Sequence, residues 1–396
     1  MKRYPQYKES GVSWIGQVPA HWTLARYKHI LAEKAAIKDS QLSPGAISHG
    51  KVVYKDGDLL YGPTKASYQE VQSGDFLVNP INLNYDLKSL RTALSEINVC
   101  VSPAYIVLKS IIAADLNYLK HQLYLFDVSH MKTLGAGVRQ TISYNDIGNC
   151  WTVIPPESEQ ASISSYLEKE LEKIDLAITS QEKLVHLLRE RVDALVLSAI
   201  SGVGVKHSRL ENVAEIISRP VGSTPSRSYT KLGLYNRGRG IFHKDESDAD
   251  DMGDSEFYYI HPGDLIISGQ FAWEGAVAMA GAEEDMCVVS HRYPVLRGIS
   301  SRAMTEYLLA FLCTEYGTFI LNEHSHGAAG RNRPLNINSL LKEKIPIPDI
   351  VSQMNVVKAV RQRRLILEHI ARLNLILKER RTAIITQAVT GQIDVR

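Results

Sequence analysis

The sequence is short of several features that would mark a function at once. Four cysteines occur in 396 residues, Cys100, Cys150, Cys287 and Cys313, and no two of them form a Cys-x-x-Cys pair. That spacing suits neither a zinc ribbon nor a disulfide framework, so reduced structural thiols are expected. No stretch approaches the roughly 18 uninterrupted apolar residues of a membrane-spanning helix. The opening Met1-Lys-Arg-Tyr-Pro-Gln-Tyr-Lys-Glu-Ser10 has no apolar signal-peptide core. A cytoplasmic protein with no membrane partner is expected. Charge of one sign is also missing: 45 Lys+Arg against 43 Asp+Glu leave a net +2. This excludes a histone-like polycation, so any nucleic-acid binding has to rest on local positive charge. With 44% hydrophobic and 22% charged residues, the chain is composed like an ordinary folded protein. Its length suits two domains or three, at about 100–200 residues each.

The chain repeats itself. Leu188-Arg-Glu-Arg191 aligns with Leu377-Lys-Glu-Arg380, and Ala199-Ile-Ser-Gly202 with Ala388-Val-Thr-Gly391, both at an offset of 189. Ser73-Gly-Asp-Phe-Leu-Val78 matches Pro262-Gly-Asp-Leu-Ile-Ile267 at the same offset. Ser102-Pro-Ala-Tyr-Ile-Val-Leu108 matches Ser290-His-Arg-Tyr-Pro-Val-Leu296 at 188, and Ile154-Pro155 with Gln160 match Ile347-Pro348 with Gln353 at 193. Matches in constant order and nearly constant offset indicate two diverged copies, each a globular part followed by a long helix.

In the first helix Leu167, Leu171, Ile174, Ile178, Gln181, Val185, Leu188, Val192, Leu195 and Ala199 alternate in steps of four and three. That is a heptad seam with one polar member. Ser158 is the expected N-cap, and Gly202 and Gly204 the stop. The second helix, about Ser352 to Thr390, places Val356, Val360, Leu367, Ile370, Leu377, Ile384 and Ala388 at equivalent positions, with Arg363, Asn374 and Arg381 interrupting. It is about four residues shorter between Gln353 and Leu377 than its counterpart. Glu157 to Asp193 carry nine acids and five bases, and Asp349 to Arg396 nine bases and four acids. Opposite charge favours the two helices pairing with each other. Only about six residues, Val203 to Ser208, separate the first helix from the second globular part, so a helix that returns to pair with it runs antiparallel. The expected spacer is about 60 Å, at about 1.5 Å per residue.

The expected fold is therefore α+β: two pseudo-repeated globular domains, 1–156 and 203–348, separated by an antiparallel coiled coil of helices 157–202 and 349–396. Phe76-Leu-Val78, Tyr105-Ile-Val-Leu108, Leu265-Ile-Ile267 and Cys287-Val-Val289 read as strands, and Asn117–Phe126 and Met304–Asn322 as helices.

Several catalytic signatures come close and fail. Gly45-Ala-Ile-Ser-His-Gly50-Lys51-Val52 lacks the magnesium-binding hydroxyl of a P-loop, and Val52-Val53-Tyr54 favours a strand where a helix is needed. Asn79-Pro80-Ile81-Asn82 lacks the second proline and the base-stacking aromatic of an amino-methyltransferase motif, and no glycine-rich cofactor loop is evident. His324-Ser-His326 has no further metal ligands at recognisable spacing. Glu170-Leu-Glu172-Lys173 resembles the end of a nuclease motif but lies within the heptads. No catalytic residue, metal site or bound cofactor is expected.

What remains is binding chemistry. Arg227, Tyr229 and Lys231, then Asn236, Arg237 and Arg239, combine cations, aromatics and amides around glycines. The run His324, His326, Arg331, Asn332, Arg333 does the same, with Gln270 and Arg292 as further candidates. In the first copy Lys65, Asn82, Asn84, Tyr85, Lys88, Arg91, Arg139 and Gln140 offer similar chemistry. Arg bonds guanine with two hydrogen bonds, Asn and Gln do so with adenine, and Lys secures phosphate. Recurrence supports the reading, since Arg139-Gln140 falls opposite Asn332-Arg333. An enzyme and a protein-only coiled-coil scaffold are the alternatives.

These features together resemble the specificity (S) subunits of type I restriction–modification systems over essentially the full length. Tyr4-Pro-Gln-Tyr-Lys-Glu-Ser-Gly-Val-Ser-Trp14-Ile-Gly-Gln-Val-Pro19-Ala-His-Trp22 looks like the opening of many of them. So do the Ile154-Pro-Pro-Glu entry to the first helix and the Ala388-Val-Thr-Gly-Gln-Ile393 exit of the second. The resemblance implies two target-recognition domains that read the halves of a bipartite, asymmetric site in double-stranded DNA. It implies that the paired helices are a ruler and a docking surface for two modification (methyltransferase) subunits, joined by restriction subunits. S-adenosylmethionine, ATP and magnesium would then belong to those partners.

Overall fold

A computed structural model describes residues 2–38, 41–55, 65–81, 90–134, 141–222, 228–248, 256–327 and 333–396. The chain divides into two compact units, Met1–Thr179 with Leu373–Arg396, and Ser180–Arg372. Each unit thus contains one globular part and half of each long helix, whereas the sequence reading sets the helices apart as separate segments. The fold is α+β.

The duplication seen in the sequence is a duplication of sheets. In the first unit four antiparallel strands lie in the order Leu31–Glu33, Ile106–Ser110, Phe76–Val78, Thr92–Leu94. In the second, Ala214–Ile216, Val295–Gly298, Leu265–Ile267 and Val277–Met279 repeat that order. A second sheet in the second unit runs Ile241–Ser247, Tyr229–Leu234, Val288–Ser290, Phe257–Tyr259, with a parallel pairing of Lys231 to Val288. Its counterpart in the first unit is two hairpin-like pairs, Lys51–Tyr54 with Gly45–Ser48 and Val99–Val101 with Gln69–Val71, joined by a parallel bridge from Pro44 to Cys100. The segment that resembled a P-loop is the first of these hairpins, turning at His49 and Gly50 with φ of 51° and 75°. A strand, Lys51–Tyr54, follows the turn directly.

Side-chain alternation along the central strands explains why they read as unbroken apolar runs. Phe76 and Val78 face the large core with Tyr118, Phe126, Leu167 and Leu171, while Leu77 between them faces a small core of Val71, Val99, Val101 and Val107. Leu265 and Ile267 likewise pack with Leu296, Tyr307 and Phe311, while Ile266 joins Leu232, Leu234 and Val289. Both faces are covered, so no polar alternation is left to see.

The repeated Gly-Asp pair has one job in both copies. Gly74 and Gly263 take φ of 94° and 87°, a left-handed turn that favours glycine. The next residue is a buried aspartate. Asp75 accepts Lys34 Nζ at 2.7 Å and the Gln72 amide at 2.8 Å. Asp264, fully buried, accepts Arg219 at 2.7 and 3.3 Å, Arg297 Nε at 2.7 Å and the His261 amide at 2.9 Å. The repeated glutamines are equally parallel. Gln160 Nε2 donates to the Pro155 carbonyl at 3.0 Å and Gln353 Nε2 to that of Pro348 at 2.9 Å, so each ties its helix to the strand before it.

The long helices span Glu157–Ile200 and Ile350–Val389, 44 and 40 residues, so the four-residue difference persists. Ser158 is not the N-cap: the helix already starts at Glu157, and the amides of Glu159 and Gln160 donate to the Pro156 carbonyl. The second begins two residues earlier than expected, because Asp349 Oδ1 accepts the amides of Val351 and Ser352 at 2.9 and 3.1 Å. In the first unit Leu167, Leu171, Ile174 and Ile178 pack in the core that holds Leu377 and Ile384. In the second, Val192 and Leu195 share a core with Val356 and Val360. Early residues of one helix thus meet late residues of the other, which is antiparallel pairing. Leu188 is buried, and Val185, Leu367 and Ile370 are half-buried on the same stripe. The polar interruptions are not neutral: Gln181 Oε1, Arg363 Nε and Asn374 Oδ1 are buried without a hydrogen-bond partner. Arg381 pairs with Asp175 and Arg380 approaches Glu170 at 3.9 Å, as the charge pattern anticipates.

The helix expected over Met304–Asn322 is two, Thr305–Leu312 and Glu315–Glu323. Thr314 caps the second by accepting the Gly317 amide at 3.1 Å. A Cβ on Gly317 would lie 2.2 Å from the Phe311 carbonyl oxygen, so only glycine permits this corner.

In the first unit Asp127 ends the helix Leu116–Phe126, is buried, and accepts the Arg91 amide at 2.6 Å. Burial raises its carboxyl to about 6, against the opposing backbone donation and charge of Arg91. A raised folded-state value favours the protonated form in the native protein. That stabilisation is complete below the unfolded carboxylate value near 3.8 and is lost as pH rises through about 6. The stability of wild type relative to Asp127→Asn should therefore fall between pH 4 and pH 7 by on the order of 2–3 kcal/mol, read as a fall in its relative melting temperature. Parallel melting curves across that range would refute the assignment.

Candidate nucleic-acid interface

In the second unit the chain crosses itself at two glycines, and the crossings collect the polar candidates. The loop after the strand Tyr229–Leu234 is held by Arg237 and Gly238, whose amides donate to the carbonyls of Glu274 and Gly275 at 2.9 and 2.8 Å. Arg237 itself takes a φ of 60°, a conformation costly for a side-chain-bearing residue. The Gly269 amide donates to the Arg292 carbonyl at 2.7 Å and its carbonyl accepts the Leu335 amide at 2.8 Å. A Cβ on Gly269 would lie 2.3 Å from the Arg292 carbonyl oxygen, so the crossing needs glycine. Asn236, Arg237, Arg239, Gln270, Arg292 and Arg333 are thereby mounted on four adjoining loops, and all but the half-buried Asn236 are exposed.

Aromatic rings orient these groups. Arg333 stacks 5.1 Å from the Trp273 ring and approaches Asn322 Oδ1 at 3.5 Å, and Trp273 Nε1 donates to the Gln270 carbonyl at 3.2 Å. Arg239 lies 5.4 Å from the Tyr235 ring. Asn236 donates to Glu274, which spends its amide on the scaffold. His324 is likewise a brace: its Nδ1 bonds Ser339 Oγ at 2.8 Å and its Nε2 Glu343 at 3.1 Å, while its carbonyl accepts the Asn336 amide. His326 is exposed beside it.

Two candidates are corrected by burial. Tyr229 is 4% exposed, its ring 6.2 Å from that of Tyr259 in the second sheet. Arg91 is 5% exposed and donates to the Ile81 carbonyl at 2.5 Å. Lys231 is half-buried, 5.5 Å from the Phe257 ring, and is not among the loops around Gly269. Lys65 is half-buried, its carbonyl accepting the Tyr68 amide. Asn82, Asn84, Tyr85, Lys88, Arg139, Gln140, Arg227, Arg331 and Asn332 lie outside the described residues.

Sequence reasoning missed a basic, aromatic edge in the first unit. There Arg26 lies 5.0 Å from the exposed Trp151 ring and Lys28 Nζ donates to Asn149 at 3.0 Å. Their positions 125 residues apart in sequence hid the pairing, which the strands Thr23–Arg26 and Trp151–Ile154 create. Tyr316 and Phe319, 41% and 57% exposed on the helix Glu315–Glu323, were also passed over as helix residues. Among the described residues no group of three or more His, Cys, Asp or Glu is placed to hold a metal, and no helix is long and apolar enough to cross a membrane.

No family model and no curated protein matches this sequence. Solved structures do. A chain from work on the "structural basis underlying complex assembly and conformational transition of the type I R-M system" aligns with 95% of this chain and 99% of its own, at 17% identity and a TM-score of 0.56. The HsdS subunit from Thermoanaerobacter tengcongensis aligns over 95% and 98%, at 16% identity and a TM-score of 0.43. The type I restriction–modification S subunit from M. genitalium aligns over 93% and 96%, at 13% identity and a TM-score of 0.47. On the first of these, the chain shares its fold, through nearly all of its length, with a component of a type I restriction–modification system.

Proposed function

We propose that this chain is the non-catalytic DNA-specificity subunit of a type I restriction–modification complex in the cytoplasm. The observation that carries the reading is the duplication: one architecture built twice, each copy ending on a long helix that pairs with the other. Two similar heads suit a split, asymmetric DNA target, one head to each half. In the second head, Gln270, Arg292 and Arg333 are the groups that meet base edges and phosphates. In the first, Arg26, Lys28 and Trp151 flank the DNA, and Lys65, Asn82, Asn84, Tyr85, Lys88, Arg139 and Gln140 read it.

Docking of two methyltransferase subunits falls to the outer helix faces. Leu176, Leu375 and Ile376 in the first unit, and Leu187, Leu197 and Leu365 in the second, are 50–60% exposed although they sit on helices that already have a partner stripe. Restriction subunits complete the assembly. S-adenosylmethionine then resides on the methyltransferase subunits, and ATP with magnesium on the restriction subunits, leaving this chain to select the sequence.

Co-expression with its methyltransferase partner and genome-wide mapping of methylated adenines tests the reading. Two short motifs at a fixed separation are expected, and a single unbroken motif or no methylation would count against it. Arg333→Ala should lower methylation only through the second half-site, by about 1–3 kcal/mol of discrimination if it holds a guanine with two hydrogen bonds. A uniform loss at all sites, which falls away at low salt, would demote Arg333 to a phosphate contact.

A further inference from the structure

Within the second unit lies a cavity of about 530 Å³ that the reading of DNA does not use. One wall is the loop Arg237–Ile241, another the strand Val277–Met279 with Leu309 and Cys313, and the floor is formed by the helix segments bearing Arg189, Val192, Val360, Arg363 and Leu367. It is the size of a pocket for a nucleotide-sized molecule. Its lining mixes apolar side chains with arginines.

The charges do not balance inside it. Five arginines line the cavity, Arg189, Arg237, Arg239, Arg363 and Arg364, against Asp193, Glu284 and Glu368. The acids are already engaged: Asp193 lies 4.0 Å from Arg189, Glu368 3.2 Å from Arg364, and Glu284 accepts the Gly281 amide and faces His243 at 3.6 Å. Among the described residues Arg237, Arg239 and Arg363 have no carboxylate within ion-pair distance. Arg363 Nε is buried with no hydrogen-bond acceptor at all. A buried cationic donor without a partner is costly, and an anionic oxygen is what removes the cost. Cys313 and Asp193 in the lining are half-buried. Burial pushes the Cys313 thiol up to about 11 and lifts the Asp193 carboxyl above its usual range, against the opposing charges of Arg189 and Arg363. Guanidinium–anion pairs strengthen in such surroundings.

We propose that this cavity binds an organic phosphate, its phosphoryl oxygens on Arg363, Arg237 and Arg239 and its planar or aliphatic body against Val277, Leu309, Val360 and Leu367. The glycine at 238 permits the site: a Cβ there would lie 2.7 Å from Cys313 Sγ and would push the arginine loop off its wall. The proposal does not depend on the DNA-reading role.

Adenosine 5′-monophosphate is a suitable probe, because it joins one phosphate to one planar body. Titrated into the full chain in a calorimeter, it should give saturable heat at one site per chain. Adenosine and orthophosphate should each bind at least tenfold more weakly, since each meets half of the cavity. Arg237→Ala, on an exposed loop, should weaken the nucleotide at least tenfold. Arg363→Met should do the same while raising the melting temperature of the unliganded chain, because it removes the orphaned donor from an apolar seam. A phosphodiester of DNA presents the same oxygens, so the titration is repeated with excess duplex. Binding that survives duplex supports a free organic phosphate, and displacement by duplex would assign the cavity to the nucleic-acid backbone and overturn the proposal. Absence of saturable heat, or binding undiminished in both variants, would overturn it equally.

Discussion

Deleting seven residues from the middle of each long helix will shorten the gap between the two methylated half-sites by about three base pairs. Seven residues of α-helix are about 10 Å long at about 1.5 Å per residue, and B-DNA rises about 3.4 Å per base pair. A whole heptad is the unit to remove because it keeps Leu171 and Ile174 on the stripe of Leu377, and Val192 on that of Val356 and Val360. Removing three or five residues from each helix would instead turn the seam to solvent and abolish methylation. Sequencing-based maps of modified adenines read the gap directly. Unchanged spacing in the heptad variant, with methylation retained, would show that the helices do not set the distance and would remove the ruler from the proposed function.

Asp264→Ala should cost about 3–5 kcal/mol of stability, the range for breaking a buried ion pair from one side. The carboxylate is fully buried and takes four donors, from Arg219 twice, Arg297 and the His261 amide. Its loss leaves two guanidiniums facing each other over an empty place at the end of the strand Leu265–Ile267. Chemical denaturation monitored by circular dichroism measures the loss. Asp264→Asn, which keeps the shape and one acceptor, should lose less than the alanine variant. Equal midpoints for all three proteins would mean that the ion cluster is a surface ornament. Asp75, whose basic partner among the described residues is Lys34, should show the same sign with a smaller effect.

The helices and the duplication were plain in the sequence because both depend on local, repeated signals. A seam of Leu and Ile every three or four residues survives divergence, and so does the Gly-Asp turn, whose glycine needs a left-handed backbone. The boundaries were less plain, since Pro156 and Asp349, not the nearby serines, terminate the helices. The site was legible only in part. Arg237, Gln270, Arg292 and Arg333 sit at loops that the sequence marks with glycine, yet their adjacency depends on the crossing at Gly269, between segments far apart in the chain. Composition cannot tell Arg333, stacked on a tryptophan at the surface, from Arg91, folded inward onto a carbonyl. The sheet pairing Arg26 with Trp151 is equally non-local, and no periodicity announces it.

A chain that carries two related amphipathic rods faces a hazard of promiscuity, for each rod offers its stripe to the same rod of another molecule as readily as to its sibling. Here the first rod carries nine acids and five bases over Glu157 to Asp193, and the region of the second nine bases and four acids. Self-against-self association would set acid on acid or base on base, while the sibling arrangement sets Asp175 against Arg381. Gln181 Oε1, Asn374 Oδ1 and Arg363 Nε, buried without hydrogen-bond partners, cost the pairing stability. Monomers in which Arg363, Asn374 and Arg381 were all made leucine would hold together more tightly and choose their companions less well.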